Sequence, residues 1–561
     1  VGWPARELFD RETARAIGAA REGWRTLRRK GPSQVQFWVI ALLIGIAAGF
    51  AALGFRKAIS ALQTFIYGTD DVMLASHAET LPWWVVLLVP VAGGLVVGLI
   101  LHLFTPDGRA RGVADVIDGA ALREGRVETR AGLASAAASL VTLSTGGSSG
   151  REGPVVHLAG VISTWVSERI AADGVTGRDL LGCAVAAAVS ASFNAPIAGA
   201  LFALEVVLRH FAVHAFAPIT IAAVAGTVVS RLEFGDVTEF RLPEESVLAF
   251  YVELPAFLML GLLCGLVAVL LMRAIFWAED LGSAVQKALA IPGWARPAVA
   301  GLILGAIAIA FPHVIGVGYE TTTAALTGQL VLWNAVVFAV VKVAALAVTF
   351  AGRMGGGVFS PSLMVGALTG LAFGIVATDI FPEVSGAETL YALAGMGAVA
   401  AAVLGAPIST TLIVFELTGD WQTGLAVMVA VSMSTALASR MVDRSFFLTQ
   451  LERRDLHLAA GPQAWLLATV PVAMVMRPRD SQRAAPEERC WAMVEEGVAI
   501  DRAATLEAAM PVFEAANHDF IPVISRAGPD APPVLWGALF QVDALKAFNR
   551  ALAATAAEEH S

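Results

Sequence analysis

Two stretches decide the fold: "AVAAAVSASFNAPIAGALFALE" (Ala184–Glu205) and "AVAAAVLGAPISTTLIVFE" (Ala398–Glu416). Both open with the same six residues and both carry Ala-Pro-Ile. The interval from Pro196 to Glu205 equals that from Pro407 to Glu416. Upstream of each lies a glycine-rich break containing a proline, "GREGP" (150–154) in one case and "GGVFSPS" (356–362) in the other. Motifs that recur in the same order within apolar sequence imply an internal duplication, the usual build of a secondary transporter or related channel. In such proteins broken helices aim their N-termini at a midplane site. The positive helix ends and free backbone N–H groups there favour anions.

The surrounding composition agrees. The 561 residues are 57% hydrophobic and 15% charged, with a mean hydropathy of +0.70. Runs such as "FWVIALLIGIAAGFAALGF" and "LPWWVVLLVPVAGGLVVGLILHLF" are of spanning length, so the chain reads as a polytopic membrane protein. Many segments are short and broken by Gly or Pro, which a membrane tolerates only where protein or a wet cavity satisfies the freed backbone. No secretory signal is evident in the Arg-rich opening. That opening, 1–34, reads as a cytoplasmic amphipathic segment. Arg25, Arg28, Arg29 and Lys30 precede the first span, and Arg453 and Arg454 follow the last. Both termini are therefore expected in the cytoplasm, around a multi-pass region in the cell membrane. Cys183, Cys264 and Cys490 show neither pairing nor metal spacing and read as small buried residues or a surface thiol. The net charge of -9 lies mostly outside the apolar block, and no nucleic-acid partner is expected.

Within "GREGP" the informative residue is Glu152. Gly150 and Gly153 free the backbone around it, and Pro154 suits the first turn of a new helix. A carboxylate there competes with an anion for the same positive helix end, and protonating it or swinging it aside would open the site. An ionisable residue inside the membrane is a functional hypothesis by default.

Together, "GREGP", "GGVFSPS", "SFNAPIAGALFALE" and "GAPISTTLIVFELTGDW" resemble the CLC chloride channels and chloride/proton exchangers, over Val35 to about Arg454. The resemblance implies an all-α membrane domain (35–454) of two inverted-topology repeats of tilted and broken helices. It also implies a homodimer, with one pathway per subunit for chloride or another small anion. Glu152 falls on the family's gating glutamate. Gly357, Val358, Phe359 and Pro361 fall on its Gly-x-Phe-x-Pro motif, where the amides of Val358 and Phe359 would face the anion. Positions expected near the anion are Arg111, Gly112, Val113, Gly150, Arg151, Gly153, Val358, Phe359 and Phe447.

The sequence departs from that pattern at three places. Where the family's first anion motif has Gly-Ser-Gly-x-Pro, this chain reads "ARGVADV". Gly112 aligns, but Arg111 takes the serine position and Ala114 the proline position. An arginine stays charged at accessible pH, so Arg111 must meet an anion, Glu152 or a water-filled vestibule. The family's tyrosine ligand falls on Phe447, which cannot donate an O–H bond. The exchangers' internal proton-relay glutamate falls on Val206, as in family members that act as channels. These residues point to passive anion movement gated by Glu152, with proton-coupled antiport by another route as the alternative.

From residue 455 to 561 the composition turns to soluble α/β. It reads as strand (Val498–Ile500), helix (Thr505–Ala516), strand (Phe520–Ile524), "LWGALF" and a helix from Asp543. This tail resembles a CBS domain, single or a degenerate pair. "QRAAPEERC" and "SRAGPDAPP" read as mobile inserts. Asp543 is the one candidate ribose ligand, and no cofactor is expected. A rival from another class, an intramembrane serine protease, would use Ser149 in "GGSSG" with His210 or His214 as base. It leaves the repeat and Arg151–Pro154 unexplained.

Overall fold

The computed structural model describes residues 32–559, apart from 71–72, 173, 212, 236–249, 457, 459–465, 468–469, 517 and 527–530. The expected amphipathic opening, 1–34, lies outside the described residues except at its very end.

Among the described residues, and apart from the five-residue helix Leu74–Ala78, sixteen helices of the membrane region fall into two sets of eight in matching order. The first comprises α1 (Gln34–Tyr67), α2 (Trp83–Phe104), α3 (Val113–Leu122), α4 (Thr129–Ser144), α5 (Glu152–Ile170), α6 (Gly174–Phe193), α7 (Pro196–Phe202) and α8 (Val213–Phe234). The second comprises α9 (Leu254–Ala288), α10 (Arg296–Ala310), α11 (Tyr319–Leu326), α12 (Leu332–Ala351), α13 (Phe359–Ile380), α14 (Glu388–Leu404), α15 (Pro407–Thr418) and α16 (Trp421–Met441). Each set opens with its longest helix, of 34 and 35 residues, and has a short one in third place, of 10 and 8. The short α17 (Phe446–Glu452) closes the region. Among the described residues, eight helices are long and apolar enough to cross a membrane. The others break partway, and it is at those breaks that chemistry collects.

The breaks have local causes. Pro196 and Pro407 open α7 and α15 at their first positions, where the missing N–H costs nothing and the ring presets φ. Gly405, at φ 70°, turns the chain out of α14. A π-helical turn, Ala203–Leu208, extends α7. The repeated glutamates then exchange caps. Glu205 accepts from the amides of Ile408 (3.0 Å) and Ser409 (2.8 Å) at the start of α15. Glu416 accepts from those of Ile197 (3.0 Å) and Ala198 (2.7 Å) at the start of α7. Each half's carboxylate thus satisfies the orphan amides, and complements the positive end, of the other half's broken helix. This reciprocity explains why the spacing from proline to glutamate is repeated.

The Ala-rich repeats sit on α6 and α14, which are almost wholly buried. Small residues let backbones approach in a membrane. A Cβ added at Gly366 or Gly370 of α13 would lie 2.3 Å from the Gly395 carbonyl oxygen or 2.1 Å from that of Tyr391, both on α14.

After α17 a four-stranded sheet forms in the order β1-β4-β3-β2, from β1 (Arg477–Pro478), β2 (Ile500–Asp501), β3 (Phe520–Ser525) and β4 (Val534–Phe540). Only β2 and β3 run parallel. Helices α18 (Glu487–Glu495), α19 (Leu506–Ala516) and α20 (Gln541–Glu559) accompany it. The last four residues of the expected insert "QRAAPEERC", Glu487–Cys490, instead begin α18, because Cys490 and Met493 pack under β3 and β4. The "SRAGPDAPP" loop falls mostly outside the described residues. Thr505 donates to the Ala121 carbonyl (3.2 Å), and Glu507 pairs with Arg209. The tail therefore docks against the C-terminal end of α3.

Candidate functional site

A cavity of about 300 Å³ runs from the region before α3 to the facing N-termini of α5 and α13. At its inner end the two glycine-rich motifs are stitched together. Gly150 and Gly357 exchange two N–H···O bonds of 2.7 Å each, an isolated antiparallel bridge. This places the N-termini of both half-helices side by side. Glu152, only 2% exposed, crosses the gap between them. One carboxylate oxygen accepts from the Ser360 hydroxyl and the other from the Ser360 amide at 3.4 Å. A Cβ on Gly150 would lie 2.6 Å from that second oxygen, so only glycine leaves the carboxylate its place.

Gly153, Val156, Val189, Phe202, Val358 and Phe359 complete this apolar inner end. Phe359 packs between Phe193 (4.7 Å) and Phe202 (5.8 Å). Phe447 lines the same cavity and meets Phe446 edge-on at 5.8 Å. Of the residues expected near the anion, Gly150 abuts the Glu152 carboxylate but has its amide consumed by Gly357, while the Arg151 guanidinium overlies the Tyr319 ring at 5.0 Å, outside the cavity lining.

The outer end is charged. Arg111 lines it together with Gly112 and Val113, but Arg111 does not pair with Glu152. Its guanidinium bonds Asp107 (2.8 Å) and Glu128 (3.0 Å), with Asp115 at 3.8 Å. Burial works against the charge on Asp107 and Glu128, yet Arg111 outweighs it and holds both carboxyls below their usual range; Arg123 also helps Glu128. Asp115 is shared. It accepts from the Gly112 amide (2.8 Å), capping α3, and from Arg454 (2.7 Å). These acids were not legible in the sequence: Asp107 and Arg111 lie in the irregular stretch before α3, and Glu128 comes from the start of α4, so their meeting depends on the fold.

Residues 93–439 match the family model described as voltage gated chloride channel. The chain belongs to the CLC family. A chloride channel protein, ClcB-like, of Ralstonia nicotianae is 34% identical over 396 residues, covering 70% of this chain and 91% of the relative. The fold matches a slow cyanobacterial Cl-/H+ antiporter with TM-score 0.66 at 20% identity, over 75% of this chain and 98% of that one. It matches a eukaryotic CLC transporter with TM-score 0.65 at 16% identity, over 93% and 98%. That last coverage cannot be reached without the region after Arg454. CLC proteins are anion transporters, channels or chloride/proton antiporters, rather than enzymes, and this one is a multi-pass membrane protein.

The other candidate residues of this CLC protein are held by local contacts. Val206 is 5% exposed within the π-helical turn. Ser149 is buried and donates to the Gly355 carbonyl at 3.4 Å. His210 contacts the Leu208 carbonyl (3.1 Å) and His214 faces Asp179 (3.6 Å). No protease dyad of Ser149 with either histidine is formed. In the tail Asp543 accepts from Arg477 Nε at 2.6 Å, so it is committed to an ion pair rather than free for a ribose. The residue most clearly missed was Ser360. It lies between Phe359 and Pro361 in the quoted motif, and its hydroxyl was the available signal.

Proposed function

We propose that this protein moves chloride, or a similarly small anion, passively through a pathway gated by Glu152, without stoichiometric proton transport. The observation that carries the reading is the commitment of Glu205. Its carboxylate accepts two amides and the Ser409 hydroxyl (2.7 Å) at the start of α15, and so cannot shuttle protons without uncapping that helix. Val206 beside it is aliphatic and buried, and an aliphatic side chain carries no proton. Glu152 occupies the place between two positive helix ends that an anion would take. With the carboxylate protonated or swung out, the N-terminal amides of α5 and α13, at Gly153, Val358 and Phe359, would receive the ion. Arg111, balanced by Asp107 and Glu128, holds the vestibule wall rather than ligating the anion, and the Phe447 ring narrows the path.

The clustering of Arg109, Arg111, Arg453 and Arg454 at the end where the tail docks supports a cytoplasmic tail and cytoplasmic termini. The region from 455 onwards is taken as a CBS-like domain without a nucleotide. A homodimer would use the apolar surface around Ile197 and Ile408, which stays half-exposed where α7 and α15 cap one another.

The alternative, proton-coupled antiport, draws on the likeness to a solved antiporter. The two readings separate in a planar bilayer carrying opposed chloride and pH gradients. Passive flow sets the reversal potential at the anion Nernst potential. A reversal potential displaced by the proton gradient would return the protein to the antiporters.

A further inference from the structure

An anion moving from the vestibule to the seat of Glu152 passes a wall with almost no side-chain donors. Five phenylalanines line the cavity: Phe202, Phe350, Phe359, Phe446 and Phe447. Phe446 ties the wall together, since Phe350 meets it edge-on at 5.7 Å, Phe447 at 5.8 Å, and Phe276 stacks on it at 5.1 Å. Phe359, Phe446 and Phe447 are all buried. The neutral polar side chains of the lining are Ser283 and Gln450. Ser283, at the charged end, already donates to the Glu279 carbonyl (2.8 Å) and accepts from Arg296 (3.1 Å). Gln450 lies on the turn of α17 that leads to Arg453. At the seat itself the Ser360 hydroxyl, bonded to Glu152, is released when the carboxylate leaves. The remaining donors are main-chain amides. Those of Gly153, Val358 and Phe359 open α5 and α13 and have no acceptor among the described residues.

An ion entering such a stretch gives up most of its water and receives few donors in return. The cost of removing a charge from water is large, and it rises as the ion becomes smaller. A few amides at fixed positions compensate a small ion no better than a larger one, whereas a polarisable anion also gains dispersion contact with the rings. Hydration therefore decides which anion passes. We propose that the inner end of the pathway selects monovalent anions by their cost of dehydration, so that thiocyanate and nitrate pass more readily than chloride and fluoride passes least, with Phe447 setting the order. Phe447 is the residue to alter because it lines the path and its one ring contact among the described residues is to Phe446. A hydroxyl added there supplies a donor without dismantling the wall. The inference rests on the reading of Glu152 as the occupant of the anion's place, and chloride remains among the ions carried.

The test uses the full-length protein in liposomes loaded with the potassium salt of thiocyanate, nitrate, chloride or fluoride. The pH is neutral and equal on both sides, valinomycin carries the counter-charge, and the leak of protein-free vesicles is subtracted. Wild type and Glu152→Gln are compared, the latter so that the order reports the pathway without its gate. Thiocyanate and nitrate should leave severalfold faster than chloride in both. Fluoride should be about tenfold or more slower than chloride, the factor left by one uncompensated bond to water. Phe447→Tyr should bring chloride up towards nitrate, while Phe447→Leu, still without a donor, should keep the original order. Chloride at or above thiocyanate and nitrate would overturn the inference, as would an equal rise of chloride in the Tyr and Leu variants. Calorimetry of the same anions in detergent separates this inference from the reading beneath it. Binding in the expected order with no flux of any anion would leave the selectivity standing and overturn the transport reading, whereas flux that favours chloride would do the reverse.

Discussion

Replacing Ser360 by alanine isolates the bond that holds Glu152, the proposed gate. The Ser360 hydroxyl donates to one oxygen of a carboxylate that is 2% exposed, while the Ser360 amide reaches the other oxygen at 3.4 Å, a much weaker contact. The hydroxyl therefore supplies most of the specific hold on the charged form. A hydrogen bond to a charged group contributes about 1.5–3 kcal/mol. Its loss should shift the balance between seated and displaced carboxylate by roughly 10- to 100-fold, since about 1.4 kcal/mol is tenfold. Alanine adds no bulk and keeps the amide, so the start of α13 should survive. Initial anion efflux from liposomes, measured from pH 4.5 to 8, reads the effect. At neutral pH the variant should be faster than wild type, up to the ceiling set by the open pathway. The midpoint of its pH–flux curve should move up by about one pH unit or more. At the acid end, where protonation has already released the carboxylate, the two proteins should converge. A variant that keeps both the wild-type rate at neutral pH and the wild-type midpoint would refute the claim that Ser360 holds Glu152 in the working protein.

Three further outcomes follow from the same geometry. Glu152→Gln mimics the protonated side chain, so efflux should persist and lose most of its pH dependence; an unchanged profile would place the gate elsewhere. Glu416→Gln removes the charge that receives the Ile197 and Ala198 amides. It should destabilise the protein by about 1–3 kcal/mol, read as faster thermal inactivation in detergent, with single-channel or unitary flux intact. Arg111→Gln should destabilise at neutral pH. Asp107 and Glu128 have their carboxyls held below the usual range, so the stabilisation they share with Arg111 is present above about pH 4 and fades as the pH falls below it. The thermal-stability gap between wild type and variant should therefore narrow in acid, and a gap that widens there would contradict the ion-pair assignment.

Much of this was legible in the sequence because the repeat is also a physical exchange. The matching intervals from Pro196 to Glu205 and from Pro407 to Glu416 follow from the two capping carboxylates, so reading the repeat amounted to reading the fold. The placement of Glu152 at the meeting of two helix starts was legible for a similar reason, since a buried charge between two glycine breaks in apolar sequence calls for donors to receive it. What stayed hidden depended on pairing across the chain. Ser360 meets Glu152 only because Gly150 and Gly357 bridge two segments far apart in sequence. The partners of Arg111 are likewise set by the turn of α3 and the start of α4. The tail shows the same limit. "QRAAPEERC" looks loop-like by composition, yet Cys490 gives α18 a buried face that only the sheet beneath it reveals.

The central claim, passive anion movement, is tested most directly by proton flux in liposomes of the purified protein, with no membrane potential imposed. An outward chloride gradient is applied across equal pH, and the external pH is followed with and without a proton ionophore. Because Glu205 is engaged in capping α15 and Val206 offers no titratable group, chloride should leave without driving protons. Alkalinisation or acidification should then appear only when the ionophore is added. Sustained proton movement against its own gradient, in fixed ratio to chloride and without ionophore, would contradict the account.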